Sequence, residues 1–97
     1  MLFFKSDGRY NYYNKGYRYI AEFKWSSQAE REQFRQICEV LEKMYGPHKQ
    51  RVYRSAEDFV GRLEFNEHWY SEVKRTVKRR RIYFREETSL SMALLKM

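Results

Sequence analysis

The chain has 97 residues, 19% of them aromatic, and its formal net charge is +7 at neutral pH. This length suits one domain over residues 1–97 with a modest core. No stretch approaches the roughly 18 apolar residues of a membrane span, and the start MLFF is too short for a secretory signal. The single cysteine, Cys38, excludes a disulfide framework within the chain and indicates a reducing, cytoplasmic setting.

The first 25 residues contain two turn signals and one alternating stretch. Asp7-Gly8 and Asn14–Gly16 favour turns, so we interpret residues 1–16 as a short meander or an arm. Tyr17–Trp25 alternates in polarity, which predicts a strand with one buried face. The side chains predicted to share the buried face are Tyr17, Tyr19, Ala21, Phe23 and Trp25.

A long helix is predicted over residues 27–45. Ser27 and Glu30 have the spacing of a capping box, in which the serine hydroxyl accepts a hydrogen bond from the glutamate amide. Gly46 suits the left-handed conformation that ends a helix, and Pro47 prevents its continuation. Apolar side chains recur every three or four residues, which indicates a helix packed on a sheet. They are Phe34, Ile37, Cys38, Leu41, Met44 and Tyr45.

The segment after Pro47 has a weaker pattern. We interpret Gln50–Arg54 as a short strand, and Ser55 as the start of a short helix that Gly61 would weaken. Residues 62–78 fit both helical and strand spacing, and extended structure is favoured over residues 69–76.

A second alternating stretch, Arg80–Arg85, predicts another strand. Ile82 and Phe84 occupy one face of it. The opposite face holds Arg81, Tyr83 and Arg85. If helices cover the face of Ile82 and Phe84, the arginine-bearing face is open to solvent.

A C-terminal helix is predicted over residues 88–97. Glu86 and Glu87 suit a helix start, and Leu90, Leu94 and Met97 keep helical spacing, with Met92 and Leu95 beside them. Because these residues are apolar, we expect this helix to be docked. Each half of the chain then contributes a strand followed by a helix. The sequence predicts an α+β, two-layer sandwich with a mostly antiparallel sheet, ferredoxin-like or a permutation of it.

Two stretches resemble parts of known proteins. The last seventeen residues, RIYFREETSLSMALLKM, are similar to the ending of many small uncharacterised tailed-phage proteins, which have a short aromatic strand, an acidic capping stretch and a terminal apolar helix. AEFKWSSQAEREQFRQIC resembles their first half in style. The resemblance covers about a third of the chain and implies a phage product in the bacterial host cytoplasm. It assigns no catalytic or binding residue.

Positive charge is concentrated in residues 74–97, which carry +6 of the net +7. An open sheet face with cations and rings can hold single-stranded nucleic acid by neutralising phosphates and stacking bases. The sequence therefore predicts a non-enzymatic nucleic-acid-binding protein, with single strands or RNA favoured. The predicted contact residues are Lys74, Arg75, Lys78, Arg79, Arg80, Arg81, Tyr83, Arg85, Arg18 and Tyr17.

Other interpretations of the same patch stay open. A phage-encoded inhibitor or modulator could dock on an acidic or nucleoprotein surface of a host or defence complex. A basic strand could instead only discourage association between strands.

A small basic ribonuclease could use His48 or His68 as base, but the spacing places no second catalytic group beside either. We expect no metal site, because neither histidine has a partner at zinc spacing. We also expect no other cofactor and no membrane partner. Homodimerisation also stays open.

Overall fold

The computed structural model describes residues 1–48 and 66–97. They form a four-stranded antiparallel sheet and two α-helices, which confirms the predicted α+β class. The elements are β1 (Leu2–Lys5), β2 (Tyr19–Phe23), α1 (Gln28–Tyr45), β3 (Trp69–Lys74), β4 (Arg79–Phe84) and α2 (Thr88–Leu95). A short 3-10 helix, Tyr13–Lys15, lies between β1 and β2. The strand predicted at Gln50–Arg54 and the helix predicted from Ser55 lie outside the described residues.

The order of the strands in the sheet is β1-β2-β4-β3, and every neighbouring pair is antiparallel. Along the chain, the described elements follow the order ββαββα. If β1 were moved to the end, this order would become βαββαβ, which is that of ferredoxin-like folds. The described topology is therefore a permutation of the ferredoxin-like arrangement, the second of the two predicted forms.

The helix α1 has the start and the end that its sequence predicts. The backbone amide of Glu30 donates to the Ser27 hydroxyl at 3.2 Å, and Gly46 ends the helix with a φ of 87°. The Glu30 carboxylate, however, does not return to Ser27. It accepts from the Lys24 amide at 3.2 Å and lies 2.5 Å from the Met1 amino group. This carboxylate thus fixes the starts of β1 and α1 to each other.

One core lies between the sheet and the helices. Ile37 and Leu41 of α1 are fully buried on this side, as predicted from the helical spacing. From α2, Leu90 and Ala93 enter the core, whereas Leu94 and Met97 remain 40% and 52% exposed. The helix is docked as predicted, but Leu94 and Met97, which share helical spacing with Leu90, do not enter the core. Because α2 ends at Leu95 and meets the core through Leu90 and Ala93, Leu94 is rotated away and Met97 lies past the helix.

The other face of the sheet is also covered, contrary to the prediction of an open face. Residues 6–18 fold back across it, and Tyr12 permits the turn by adopting the left-handed conformation with a φ of 67°. The ring of Tyr12 lies 4.5 Å from that of Tyr70 and 4.9 Å from that of Tyr83, between centroids. We call these packed rings the tyrosine layer. Its members are Tyr10, Tyr12, Tyr17, Tyr70 and Tyr83.

Tyr17 belongs to the tyrosine layer and not to the helix-side core. The predicted strand began at Tyr17, and its alternation placed this ring beside Tyr19. In the structure β2 begins only at Tyr19, so the alternation does not extend back to Tyr17. Ile20, predicted to face solvent, is fully buried beneath the same layer.

Candidate nucleic-acid interface

The centre of the tyrosine-covered face is an acidic side chain, Glu72. This carboxylate is 5% exposed, accepts from Arg79 Nε at 2.9 Å and from the Tyr83 hydroxyl at 3.3 Å, and faces Asn11 Nδ2 at 3.4 Å. Tyr83 itself is fully buried, and burial raises the pKa of its hydroxyl to about 12. The predicted stacking role of Tyr83 is therefore wrong, and Arg79 is already paired.

Arg81 lies on the same covered face, between β2 and β3. Its guanidinium lies 3.4 Å from a Glu22 carboxylate oxygen and 5.3 Å from the Tyr10 ring centroid, and the side chain is only 13% exposed. Its Nε is buried and has no hydrogen-bond partner among the residues that the structure describes. The register explains this, because Glu22, Arg81 and Glu72 are direct neighbours across three strands. The prediction of an outward-facing Arg81 is wrong.

Three further predicted residues, Tyr17, Arg18 and Arg85, lie at the far end of the sheet from the β3–β4 turn. Tyr17 is fully buried and its hydroxyl donates to the Asn66 carbonyl, so its ring cannot stack on a base. Arg85 is exposed with its guanidinium carbon 5.0 Å from the Tyr17 ring centroid, and Arg18 lies 3.7 Å from that of Tyr13. Arg85 and Arg18 are separated from the β3–β4 turn by the length of a six-residue strand, or about 17 Å.

The turn between β3 and β4 carries a group of three exposed cations. Lys74, Arg75 and Lys78 are all exposed, and no described acidic side chain forms an ion pair with them. Lys78 closes the turn with a φ of 50°, and its amide donates to the Arg75 carbonyl at 3.3 Å. The sequence supplies no Asp or Glu from residue 73 to 85. The turn is therefore a concentrated and unneutralised positive surface.

Arg80 faces the helix side of the sheet, where alternation along β4 places it with Ile82 and Phe84. It is 8% exposed, and its guanidinium carbon lies 4.0 Å from the Trp25 ring centroid. Its Nη1 donates to the Trp25 carbonyl at 3.3 Å. Burial lowers the pKa of Arg80, and the charges of Arg31 and Arg75 lower it further. We call Arg31, Arg75 and Arg80 the arginine cluster.

The arginine cluster lies at one end of a groove between α1 and β3, with a volume of about 810 Å³. The two walls lie side by side along the length of the groove. One wall is formed by alternate residues, from Trp69 through Ser71 and Val73 in β3 to Arg75 just after it. The other wall follows α1 from its start beside Trp25 to Glu42. At about 3.4 Å per strand residue, the groove extends for roughly 20 Å.

The middle and the far end of the groove are nearly neutral or acidic. The Ser71 hydroxyl lies 2.6 Å from Nε2 of His48, and burial lowers the pKa of His48. Cys38 also lines the groove, and burial raises the pKa of its thiol to about 12, so it stays protonated at neutral pH. Glu42 stands at the end near His48.

Two further properties follow from the described parts of the chain. Within residues 1–48 and 66–97, no group of three or more His, Cys, Asp or Glu side chains is arranged to hold a metal ion. No helix found in those residues is long and apolar enough to cross a membrane.

No family model, curated protein or solved structure matches the chain. The resemblance to tailed-phage proteins therefore stays a prediction.

Two members of this site were not predicted. Trp25 was predicted on the buried face of a strand, and Arg31 was not among the predicted contact residues. In the structure β2 ends at Phe23, so Trp25 lies in the connection to α1 and remains partly exposed. A polar capping sequence directly after Trp25 was the available signal, because it places the first helical turn, including Arg31, beside the strand end.

Proposed function

We propose that the protein binds nucleic acid through the β3–β4 turn and the arginine cluster, without catalysing a reaction. The interface would comprise Lys74, Arg75 and Lys78 on the turn, with Arg31 and Arg80 at the adjoining end of the groove. This interface retains four of the predicted cations, Lys74, Arg75, Lys78 and Arg80. It takes the place of the tyrosine-covered face as the proposed binding surface. A phage origin and action in a bacterial cytoplasm remain part of the proposal.

The observation that carries the proposal is the separation of paired from unpaired cations. Arg79 and Arg81 meet Glu72 and Glu22 on the covered face. Among the described residues, the turn cations and the arginine cluster meet no carboxylate in an ion pair. Arg80 is held within the field of two other arginines, an arrangement whose mutual repulsion an anion would relieve.

Single strands or RNA are favoured over duplex because rings and cations share one concave surface. The Trp25 ring is partly exposed beside the arginine cluster, and an accessible ring can stack on an unpaired base. The α1 face beside the groove carries Glu32, Glu39 and Glu42, which disfavour its entry into a DNA major groove.

Removing the turn lysines is expected to weaken binding and its dependence on salt. For single strands each lost phosphate contact should reduce the slope of log K against log salt by about 0.7, so Lys74→Gln with Lys78→Gln should reduce it by roughly 1.4. Fluorescence anisotropy with a labelled single-stranded oligonucleotide, titrated at several salt concentrations, measures this slope.

The matched control is Lys5→Gln with Lys96→Gln, which removes the same charge from exposed sites outside the turn. We expect the control to bind nearly as the parent does. Equal losses in both double variants would show that only net charge matters. Absence of binding by the parent protein at low salt would refute the proposed function.

A second candidate function, protein binding, is favoured by the apolar surface of α2 and the residues after it. Leu95 is 85% exposed, and Met92, Leu94 and Met97 are exposed by 40% or more. Clustered exposed apolar side chains commonly mark protein contacts. If this function operates, affinity capture from bacterial lysate should retain one partner after nuclease treatment and lose it with Leu95→Glu, while Lys96→Glu keeps it. A partner released by nuclease would support nucleic-acid binding instead.

A further inference from the structure

Arg80 has hydrogen-bonding capacity beyond its contact with Trp25. A guanidinium has five N–H donors, and among the described residues the Trp25 carbonyl is the acceptor for Arg80. Arg80 lines the groove, so its guanidinium borders the open space there. Stacking on Trp25 holds the guanidinium plane in place.

Charge along the groove changes sign away from the arginine cluster. Arg35, the next arginine of α1, is paired with Glu32 at 2.5 Å and with Glu39, so it adds no free positive charge. Glu42 follows at the far end. A strand lying along the whole groove would bring several phosphates past these carboxylates. One phosphate at the arginine end avoids them.

We propose that the arginine cluster binds a terminal phosphate monoester of a single strand, with the adjoining base in the middle of the groove. A monoester carries about −1.5 to −2 charges at pH 7, against one for an internal diester, and so matches the charge of three arginines that line one end of the groove better. The middle of the groove offers Phe34, Cys38 and Ser71, which are uncharged at neutral pH. The next phosphates leave past the β3–β4 turn, over Lys78.

This inference rests on the proposed function, and the experiment compares strand ends at constant sequence. Three oligonucleotides are used, one with a 5′-phosphate, one with a 3′-phosphate and one with hydroxyls at both ends, each with the same label on an internal nucleotide. We expect one of the phosphorylated forms to bind at least about tenfold more tightly than the hydroxyl form, since hydrogen bonds between charged groups are the stronger kind. The form that gains affinity identifies the end recognised.

Variants at exposed arginines test the site without disturbing the core. Arg31→Gln and Arg75→Gln should each abolish most of the preference for the phosphorylated end, whereas Lys43→Gln, on the same helix but outside the groove, should keep it. Arg80→Lys keeps the charge but loses the guanidinium fork, and should also reduce the preference.

The outcomes distinguish this inference from the proposed function. Equal affinity for all three oligonucleotides would overturn end recognition and leave nucleic-acid binding standing. Failure of all three to bind would overturn both. A preference that survives Arg31→Gln and Arg75→Gln would place the terminal phosphate elsewhere and overturn the assignment to the arginine cluster.

Discussion

Replacing Glu72 by glutamine is expected to destabilise the fold by about 3 kcal/mol, because removing one partner of a buried ion pair leaves the other charge uncompensated. The Glu72 carboxylate is 5% exposed and pairs with Arg79, and its charge also acts on Arg81. The cost lies at the lower end of the usual range since Arg79 keeps 23% of its side chain in contact with solvent. Urea denaturation followed by circular dichroism measures the free energy of unfolding.

The matched control for this variant is Glu67→Gln, which makes the same chemical change at an exposed position. Substitution there should alter the free energy of unfolding by no more than about 0.5 kcal/mol. If Glu72→Gln were equally harmless, the contacts of Glu72 with Arg79 and Tyr83 would contribute little, and the covered face would be held by ring packing alone.

The same variant, Glu72→Gln, tests whether the tyrosine-covered face takes part in nucleic-acid binding. Under conditions where Glu72→Gln is folded, its affinity for a single-stranded oligonucleotide should match that of Glu67→Gln, since Lys74, Arg75 and Lys78 are unchanged. A rise in affinity in the folded variant, larger than Glu67→Gln produces, would show that Arg79 or Arg81, freed from Glu72, contacts nucleic acid. That result would favour the open-face hypothesis that the sequence alone suggested.

Local sequence signals predicted the elements well because each depends on neighbouring residues. Ser27 and Gly46 mark the ends of α1, and the alternation around Ile82 sets the face of β4. The permuted ferredoxin-like order follows from these elements once the first strand pairs with β2. The docked surface of α2 was only partly predicted, because helical spacing alone does not say which of several apolar side chains meets the core.

The site was predicted less well, because it depends on a contact between distant parts of the chain. Alternation correctly placed Arg81 and Tyr83 opposite Ile82. Whether that face meets water is decided by residues 6–18, which reach it through the left-handed turn at Tyr12. No sequence rule assigns that conformation to a tyrosine, since left-handed residues are usually glycine or asparagine. The five tyrosines between residues 10 and 19 were the signal available.

Alkaline pH should unfold the protein cooperatively, through the tyrosine layer. Burial raises the pKa values of Tyr12, Tyr17 and Tyr70, and raises that of Tyr83 to about 12. Unfolded tyrosines lose their protons near pH 10, so above that pH the folded state binds more protons than the unfolded state. The stability contributed by these hydroxyls is complete below about pH 10 and is lost as the pH rises towards 12.

The expected size of this effect is large compared with the stability of a small domain. Each hydroxyl that stays protonated only in the folded state removes about 1.4 kcal/mol per pH unit. Tyr12 and Tyr83, whose pKa values are raised most, together remove about 3 kcal/mol per unit, and Tyr17 and Tyr70 add to this loss. Total stabilities are about 5–15 kcal/mol. Circular dichroism and tyrosinate absorbance, recorded together against pH, should therefore change in one step. Tyr70→Phe should make the decline shallower, because one of the four groups is gone. Titration of all nine tyrosines near pH 10 with the fold intact would contradict a closed tyrosine layer.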